Sequence, residues 1–451
     1  MNNRDIEWRR RKLEEIRNGL ESSQLNAVRE LISKEVIERI CEEDNYYFRS
    51  RLLTPVVTLF QMIQAGIHRE GSFQSAWQMS GQSGQSGSLA KARKRLPLGV
   101  WKRLHEWMMV EIDSHGRRED VWRGHRMVGV DGTCLSMADE PALAEVFGRC
   151  STGNGGDSRF PFARLVLAFN LKTLVAMGHG VGGYRTSEQA LLRKLWMDFK
   201  PGDVLIADRQ FAGANLYGEY RQRGFEFISR PPATLQIERL KVEEAFAADD
   251  WITRMKIWPE HRKKNAALPE SIQVRMIRMT MKQEGKREDF WLVTSLLDRK
   301  QYPADEIRQW YRRRWKVETL IEELKIWLGA DILRSKTPEG IYKELYARLV
   351  GMNLIHWLIL KATQKHNQEA DRVSVSAALR LTVAYSLKMS TAPLWQLPYL
   401  YEELLEHIRA SVVPYRPYRL EPRMQKREHR NFPKLKISRS EWRVIHGNLV
   451  A

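Results

Sequence analysis

Cysteine is scarce in this chain: Cys41, Cys134 and Cys150 are the only three in 451 residues. They are too scattered for a disulfide framework, and no CxxC pair exists for a structural zinc. The histidines are dispersed as well, and His105-Glu106 does not extend to HExxH, so zinc chemistry is not expected. Long apolar runs are missing. The best of them, Leu345 to Ala362, is interrupted by Arg348 and His356. A membrane span needs about 20 apolar residues with few or no charges, so this stretch reads as a buried helix. MNNRDIEWRRRKLEE lacks the apolar core of a signal peptide, so a soluble, cytoplasmic protein is expected. The Gly-rich stretches STGNGGDS and GHGVGG do not form a strand-to-helix GxGxxG, which argues against a dinucleotide cradle. The last shortage is of acid. Lys+Arg number 74 against 55 Asp+Glu, a net charge of +19. With 43% hydrophobic residues the chain is not a disordered polyelectrolyte. The excess therefore favours a polyanionic partner, either nucleic acid or an anionic membrane surface.

The length suits about three domains. Residues 1–118 read as helical, with apolar positions at helical spacing in RLLTPVVTLFQMIQAGI (Arg51 to Ile67). The Gly/Ser/Gln stretch Met79 to Ser88 reads as a flexible loop. After it, Lys91, Arg93, Lys94, Arg95, Lys102 and Arg103 occur without an acid, a composition suited to phosphate contacts. A solvated helix face would look the same. Residues 119–230 change character. MVGVDGTCLSM, RLVLAFNL, TLVAMGHGV, DVLIADRQF and FEFISR are short, apolar and bounded by Gly, Asp or Pro, as strands are. Helical stretches at Ser187 to Phe199 and Gly213 to Gly224 separate the last three. Three strands, then helix, strand, helix, strand is an α/β layer. Residues 231–287 alternate in WITRMKIW and IQVRMIRMTMKQ, which predicts a small antiparallel β insert solvated on one side. Residues 288–370 begin with a strand (Asp289 to Asp298) and continue as a long helix from about Pro303 to Leu328, capped by Gly329. Residues 371–451 are helical, then basic: Arg416 to Arg443 holds ten Lys/Arg against three acids.

Two carboxylates occupy matching places. Asp131 ends an apolar strand in VGVDGT, and Asp208 ends VLIAD. An acid at the C-terminal end of a buried strand projects into the crevice where α/β sheets bind ligands, although an Asp that only opens a turn would look alike. The long helix carries Tyr311, Arg314, Glu318 and Lys325. At 100° per residue these four fall within about 60° of arc, beside an apolar stripe of Trp310, Ile321, Leu324 and Leu328. An ordinary amphipathic helix with an Arg–Glu i,i+4 pair could show the same pattern.

Together, DGT at Asp131, ADRQF around Asp208 and YRRRWKVETLIEELK from Tyr311 to Lys325 resemble the three blocks of bacterial insertion-sequence DDE transposases. The subgroup resembled is the insertion sequence four family, marked by its Tyr-Arg-Glu-Lys signature. The likeness extends over most of the chain, including RLLTPVVTLF, ARKRLP and the basic tail. It implies an α/β, ribonuclease H-like catalytic core (119–230 and 288–370) interrupted by the β insert. A DNA-binding helical region (1–118) and a helical, basic C-terminal region (371–451) flank it. It also implies that Asp131, Asp208 and Glu318 hold divalent metal, and carboxylates without His or Cys suit Mg²⁺ or Mn²⁺. Two such ions activate the attacking oxygen and stabilise the leaving one. The partner implied is double-stranded DNA, the element's terminal inverted repeats and its target, held by a homodimer; membrane drops out.

Further roles follow from the likeness. Tyr311, Arg314 and Lys325 would contact phosphates near the cleaved end. Trp315 matches a position near the active site, and core packing explains it equally well. Trp291 lies near where a relative uses a Trp to receive a flipped base, with core packing the plainer account. Arg209 tunes the Asp208 carboxylate or touches DNA, and Glu188 matches a recurrent acid before the second block. Two other readings compete. A non-catalytic DNA-binding descendant would have lost an acid, but all three are present. A cellular ribonuclease H-like nuclease would need the acids but neither the insert nor the Tyr-Arg-Glu-Lys stripe.

Overall fold

The computed structural model describes residues 31–49, 52–67, 73–79, 86–114, 121–151, 157–283, 286–366 and 368–414, with positions 441, 444 and 445. Among these residues, five helices precede the sheet: α1 (Lys34–Glu43), α2 (Pro55–Ile67), α3 (Phe73–Met79), α4 (Ser86–Arg95) and α5 (Leu98–Ser114). Side-chain oxygens start two of them. Ser33 Oγ accepts from the Val36 N–H at 3.3 Å, and Thr54 Oγ1 from the Val57 N–H at 3.3 Å. Pro55 then sits in a first turn, where its missing N–H leaves nothing unpaired. Most of the loop expected over Met79 to Ser88 lies outside the described residues. Its end is already helical, because Ser86-Gly87-Ser88 form the first turn of α4.

The sheet grows outward from β1 (Met127–Met137). Helix α6 (Pro141–Phe147) and the short β2 (Arg149–Ser151) lead to β3 (Asp157–Asn170) and β4 (Ala176–Gly183), each antiparallel to its predecessor in the order β1, β3, β4. Then α7 (Glu188–Leu192) crosses to β5 (Val204–Ala207), and α8 (Ala214–Gln222) to β6 (Glu226–Ser229). β5 runs parallel to β1 and β6 parallel to β5. Three antiparallel strands followed by two helix-linked parallel ones is the order expected of a ribonuclease H-like core. Val128, Val130, Val166 and Ala168 pack on one face against Leu191, Leu195, Phe211 and Leu216. Leu165, Leu167 and Phe169 pack on the other. Burial on both faces explains why these strands read as continuous apolar runs.

The insert extends the same sheet. β7 (Val242–Ala247) and β8 (Asp250–Lys256) are followed by α9 (Pro259–Lys264), β9 (Ser271–Gln283) and β10 (Lys286–Thr294), and the order ends β6-β10-β9-β8-β7. The expectation of one solvated face fails in the middle of β9. Val274, Arg275, Met276 and Ile277 are all buried, with Met276 in one core and Ile277 in the other. Buried Arg275 is compensated by a forked pair to Asp250 (2.6 Å at each oxygen) and a 2.7 Å bond to the Tyr302 carbonyl.

The helix expected to run unbroken from Pro303 to Leu328 is interrupted. It divides into α10 (Ala304–Arg312) and α11 (Trp315–Glu322), followed by a π turn at Glu323–Trp327. Bonds of the i→i+3 kind (Arg314 N to Tyr311 O, Lys316 N to Arg313 O, Val317 N to Arg314 O, 2.9–3.0 Å) tighten the chain across the break. The tight turn overwinds the helix and the π turn unwinds it. The face that continues past both still addresses β1. Trp310, Ile321, Leu324 and Leu328 are buried as the apolar stripe required, and Gly329 (φ 65°) ends the element. After β11 (Ile332–Leu333), α12 (Pro338–Gln364) encloses the Leu345 to Ala362 stretch. It is the buried helix that Arg348 and His356 suggested. Arg348 Nε donates to the Leu328 carbonyl at 2.8 Å, and Lys343 Nζ to the carbonyls of Arg93 (3.3 Å) and Lys94 (3.1 Å). Helices α13 (Val375–Thr391) and α14 (Leu397–Ala410) pack on the far end of α12. The basic tail expected from Arg416 lies outside the described residues, apart from Glu441.

Candidate active site

Asp131 does not end its strand as expected from VGVDGT: it lies within β1, paired with Leu167 of β3, two residues beyond the point where β1 stops pairing with β5, at Gly129–Ile206. Gly129 lets α11 approach, since a Cβ there would lie 2.7 Å from Leu171 Cδ2 and would also strike Val317. The Asp131 carboxylate accepts the Gly132 N–H at 2.7 Å, and Arg314 Nη1 stands 3.6 Å from its other oxygen. Its pKa is pushed up to about 6. Burial is the main cause and the negative charges of Asp208 and Glu318 add to it, against the Gly132 N–H and Arg314. Asp208 follows the last residue of β5 and caps the short turn Arg209–Phe211, accepting the Gln210 N–H at 2.8 Å.

From the facing helix, Glu318 accepts Arg314 Nη2 at 2.9 Å, with its side chain 43% exposed. Arg314 itself is buried. Lys325 Nζ donates to Thr133 Oγ1 (3.3 Å) and to the Cys134 carbonyl (3.4 Å) on β1. Tyr311 is buried behind Arg314, and burial pushes its phenol up to about 12 despite the cations of Arg314 and Arg230. Trp315 is 39% exposed, 5.0 Å from the Arg314 guanidinium carbon. Arg209 is exposed beside Asp208. On the opposite face of β1, Glu188 presses its carboxylate on Gly132, where a Cβ would lie 2.6 Å from Glu188 Cδ and Oε1. Its pKa is raised by burial and by Asp208.

The remaining residues singled out from the sequence lie elsewhere. Trp291 is half-buried edge-on to Trp251, with ring centroids 5.5 Å apart, among core side chains. Lys91, Lys94 and Arg95 are exposed on α4 and Arg93 is half-buried. Two cations near the acids were not singled out. Arg230 follows the last residue of β6 as Asp208 follows that of β5, and the two strands pair at Ala207–Ser229. It lies over Phe290 (4.0 Å) and pairs with Glu288 (2.7 Å). The visible signal was the matching pair of endings, VLIAD and FEFISR. Arg164 lies opposite Cys134 in the β1–β3 ladder, 5.3 Å from the Tyr184 ring centre, and its charge opposes the rise in Glu188.

Chemically, the arrangement pairs a carboxylate from β1 and one from α11 with a single buried guanidinium, and the Asp208 carboxylate acts on Asp131 from just past β5. The donor set is all oxygen, and its type suits a hard divalent cation. Among the described residues, no three acidic, histidine or cysteine side chains stand close enough together to hold a metal as they are. Arg314 pairs with both Asp131 and Glu318 and neutralises the space between them. Nor is any helix among the described residues long and apolar enough to cross a membrane.

Residues 122–354, which contain Asp131, Asp208 and Glu318, match the family model described as "Transposase DDE domain". The chain is 22% identical over 349 residues, 77% of each chain, to "Transposase InsG for insertion sequence element IS4" of Escherichia coli (strain K12). It is 26% identical over 137 residues, 30% of this chain and 46% of the relative, to "Putative transposase InsZ" of the same strain. The chain belongs to the DDE transposase family.

Proposed function

We propose that Asp131, Asp208 and Glu318 are the catalytic acids of this DNA transposase and that they hold Mg²⁺, with Mn²⁺ as a substitute. The observation that supports this best is that Asp131 and Glu318 share buried Arg314 while Asp208, just past β5, adds its negative charge to that of Glu318 at Asp131. Divalent ions bound there would activate the attacking oxygen and stabilise the departing one in phosphoryl transfer. The chain's own groups do the rest. Arg314, with its planar fork, holds a phosphate of the cleaved strand once it releases Glu318. Lys325, anchored over β1, places a point charge on the next phosphate, and the Tyr311 hydroxyl, kept protonated, donates to the same backbone. Trp315 and Arg209 border this groove as further DNA contacts.

The substrate is double-stranded DNA. The N-terminal region (1–118) binds the element's terminal repeats through Lys91, Arg93, Lys94 and Arg95, the core formed by 119–230 and 288–370 carries the chemistry, and the insert (231–287) and C-terminal region (371–451) flank it. A homodimer on DNA pairs the two ends, and the reaction takes place in the cytoplasm, on the nucleoid. The test is Mg²⁺-dependent cleavage of a duplex carrying the terminal repeat, with binding followed in parallel. Asp131→Ala, Asp208→Ala and Glu318→Ala should each lose cleavage and keep binding. Full cleavage by any one of them would overturn the assignment of that acid.

A further inference from the structure

Backbone pairing between β1 and β5 ends at Gly129–Ile206, yet both strand acids lie beyond it, at 131 and 208. Past the ladder, among the described residues, no hydrogen bond joins one segment to the other. What touches both of them is α7. Its first residue, Glu188, packs on Gly132, the neighbour whose N–H holds Asp131. Its second residue, Gln189, donates its amide to the Gln210 carbonyl at 2.9 Å and to the Ala212 carbonyl at 3.5 Å. Those carbonyls belong to the turn that Asp208 caps. The helix making both contacts is firmly rooted. Ser187 Oγ accepts the Ala190 N–H at 3.2 Å, and Leu191 and Leu192 are fully buried against the sheet. A short rigid element resting on β1 and bonded to the turn after β5 acts as a strut. In the turn 209–212, Phe211 and Ala212 are buried and the Phe211 carbonyl accepts the Tyr220 hydroxyl at 3.3 Å, while Arg209 and Gln210, the residues next to Asp208, are exposed.

We propose that Gln189 is a positioning residue for the transposase reaction. Through its bonds to the 210 and 212 carbonyls, and with Glu188 seated on Gly132, it sets the separation and orientation of Asp131 and Asp208. It touches neither DNA nor metal and acts through Asp208. The idea rests on the proposal that these acids hold the divalent ion. Removing the amide donors loosens the exposed 209–210 part of the turn beside Asp208 while Phe211 stays anchored, and the pair then grips a cation less tightly without any loss of charge.

The experiment uses the full-length protein carrying Gln189→Met, which keeps length and removes both donors, with Gln189→Lys as a variant that restores a donor of similar reach. Mn²⁺ affinity is measured directly by electron paramagnetic resonance, and cleavage is followed against Mg²⁺ concentration. Gln189→Met should bind Mn²⁺ about 10-fold more weakly and shift the half-maximal Mg²⁺ concentration upward by a similar factor. Its rate at saturating Mg²⁺, its DNA affinity and its melting temperature should stay near wild type, and Gln189→Lys should recover most of the metal affinity. Unchanged Mn²⁺ affinity in Gln189→Met, or a loss of stability with no change in metal dependence, overturns the proposal. Asp208→Asn separates the two levels. If it loses Mn²⁺ and Gln189→Met does not, the strut fails while the acid assignment stands. If Asp208→Asn binds Mn²⁺ as wild type does, the acid assignment fails and the strut with it.

Discussion

The two halves of the sheet use polar residues in opposite ways. In β3, β1, β5 and β6 both faces are covered, and the charged groups gather where the parallel pairing ends: Asp131 past the β1–β5 ladder, Asp208 after β5 and Arg230 after β6. In the insert, charges lie along the strands and are consumed by one another. Arg275 forks onto Asp250, Arg254 pairs with Glu243 at 2.9 Å, and Gln273 donates to the same Glu243 at 2.9 Å. In the first half Asp131 is buried with the Arg314 guanidinium 3.6 Å away, and burial raises its carboxyl. In the second half a polar group completes a close local balance. Loose pairing around Asp131 goes with the proposed chemistry, and close pairing in the insert goes with structure.

That contrast can be broken at several points. The largest effect should come from Asp131→Ala, Asp208→Ala or Glu318→Ala, each lowering cleavage by about a thousandfold or more while the melting temperature stays within a few degrees of wild type. Arg275→Ala should do the reverse. Leaving Asp250 buried and unpaired costs about 3–5 kcal/mol, read as a lower urea midpoint, while the folded fraction keeps its metal dependence. Arg314→Ala should reduce cleavage about 10- to 100-fold, and Arg314→Lys should not restore it, because a point charge cannot fork onto a phosphate.

Asp198 gives a pH test away from the acids. Burial, reinforced by Glu106 and opposed by Arg126, pushes its carboxyl up to about 7. A carboxyl whose folded pKa exceeds its unfolded value makes the fold bind the proton more tightly. Stability is therefore lost as pH rises from about 4 to about 7 and is level above that. Asp131 contributes the same trend only up to about 6. Asp198→Asn should then flatten the limb between pH 6 and 7 and stabilise the protein at pH 8 by about 1–3 kcal/mol, with no gain at pH 4. The smallest effect belongs to Arg254→Ala. Its half-exposed pair with Glu243 should change the unfolding free energy by no more than about 0.5 kcal/mol.

Legibility in the sequence followed the same divide. β1, β5 and β6 were readable because double burial writes unbroken apolar runs, and an acid at the end of such a run stands out. The insert was only half readable. Alternation marked the strands, but Arg275 looked like a solvated residue, since its partner Asp250 is 25 positions away and only the fold brings them together. The break at residues 313–314 left no local mark, because the same residues satisfy either an α-turn or the tighter bonds drawn there. Gln189 was invisible for a third reason. It matters through what lies across the sheet edge, which no spacing along the chain encodes.

The central claim, that the Asp131 and Asp208 carboxylates act by holding a divalent ion, is tested most directly by Asp208→Cys. A thiolate suits Mn²⁺ better than Mg²⁺. The account predicts that this variant, with wild-type DNA binding, fails to cleave terminal-repeat DNA in Mg²⁺ and regains cleavage in Mn²⁺. Equal cleavage in the two ions, at or near the wild-type rate, would contradict it.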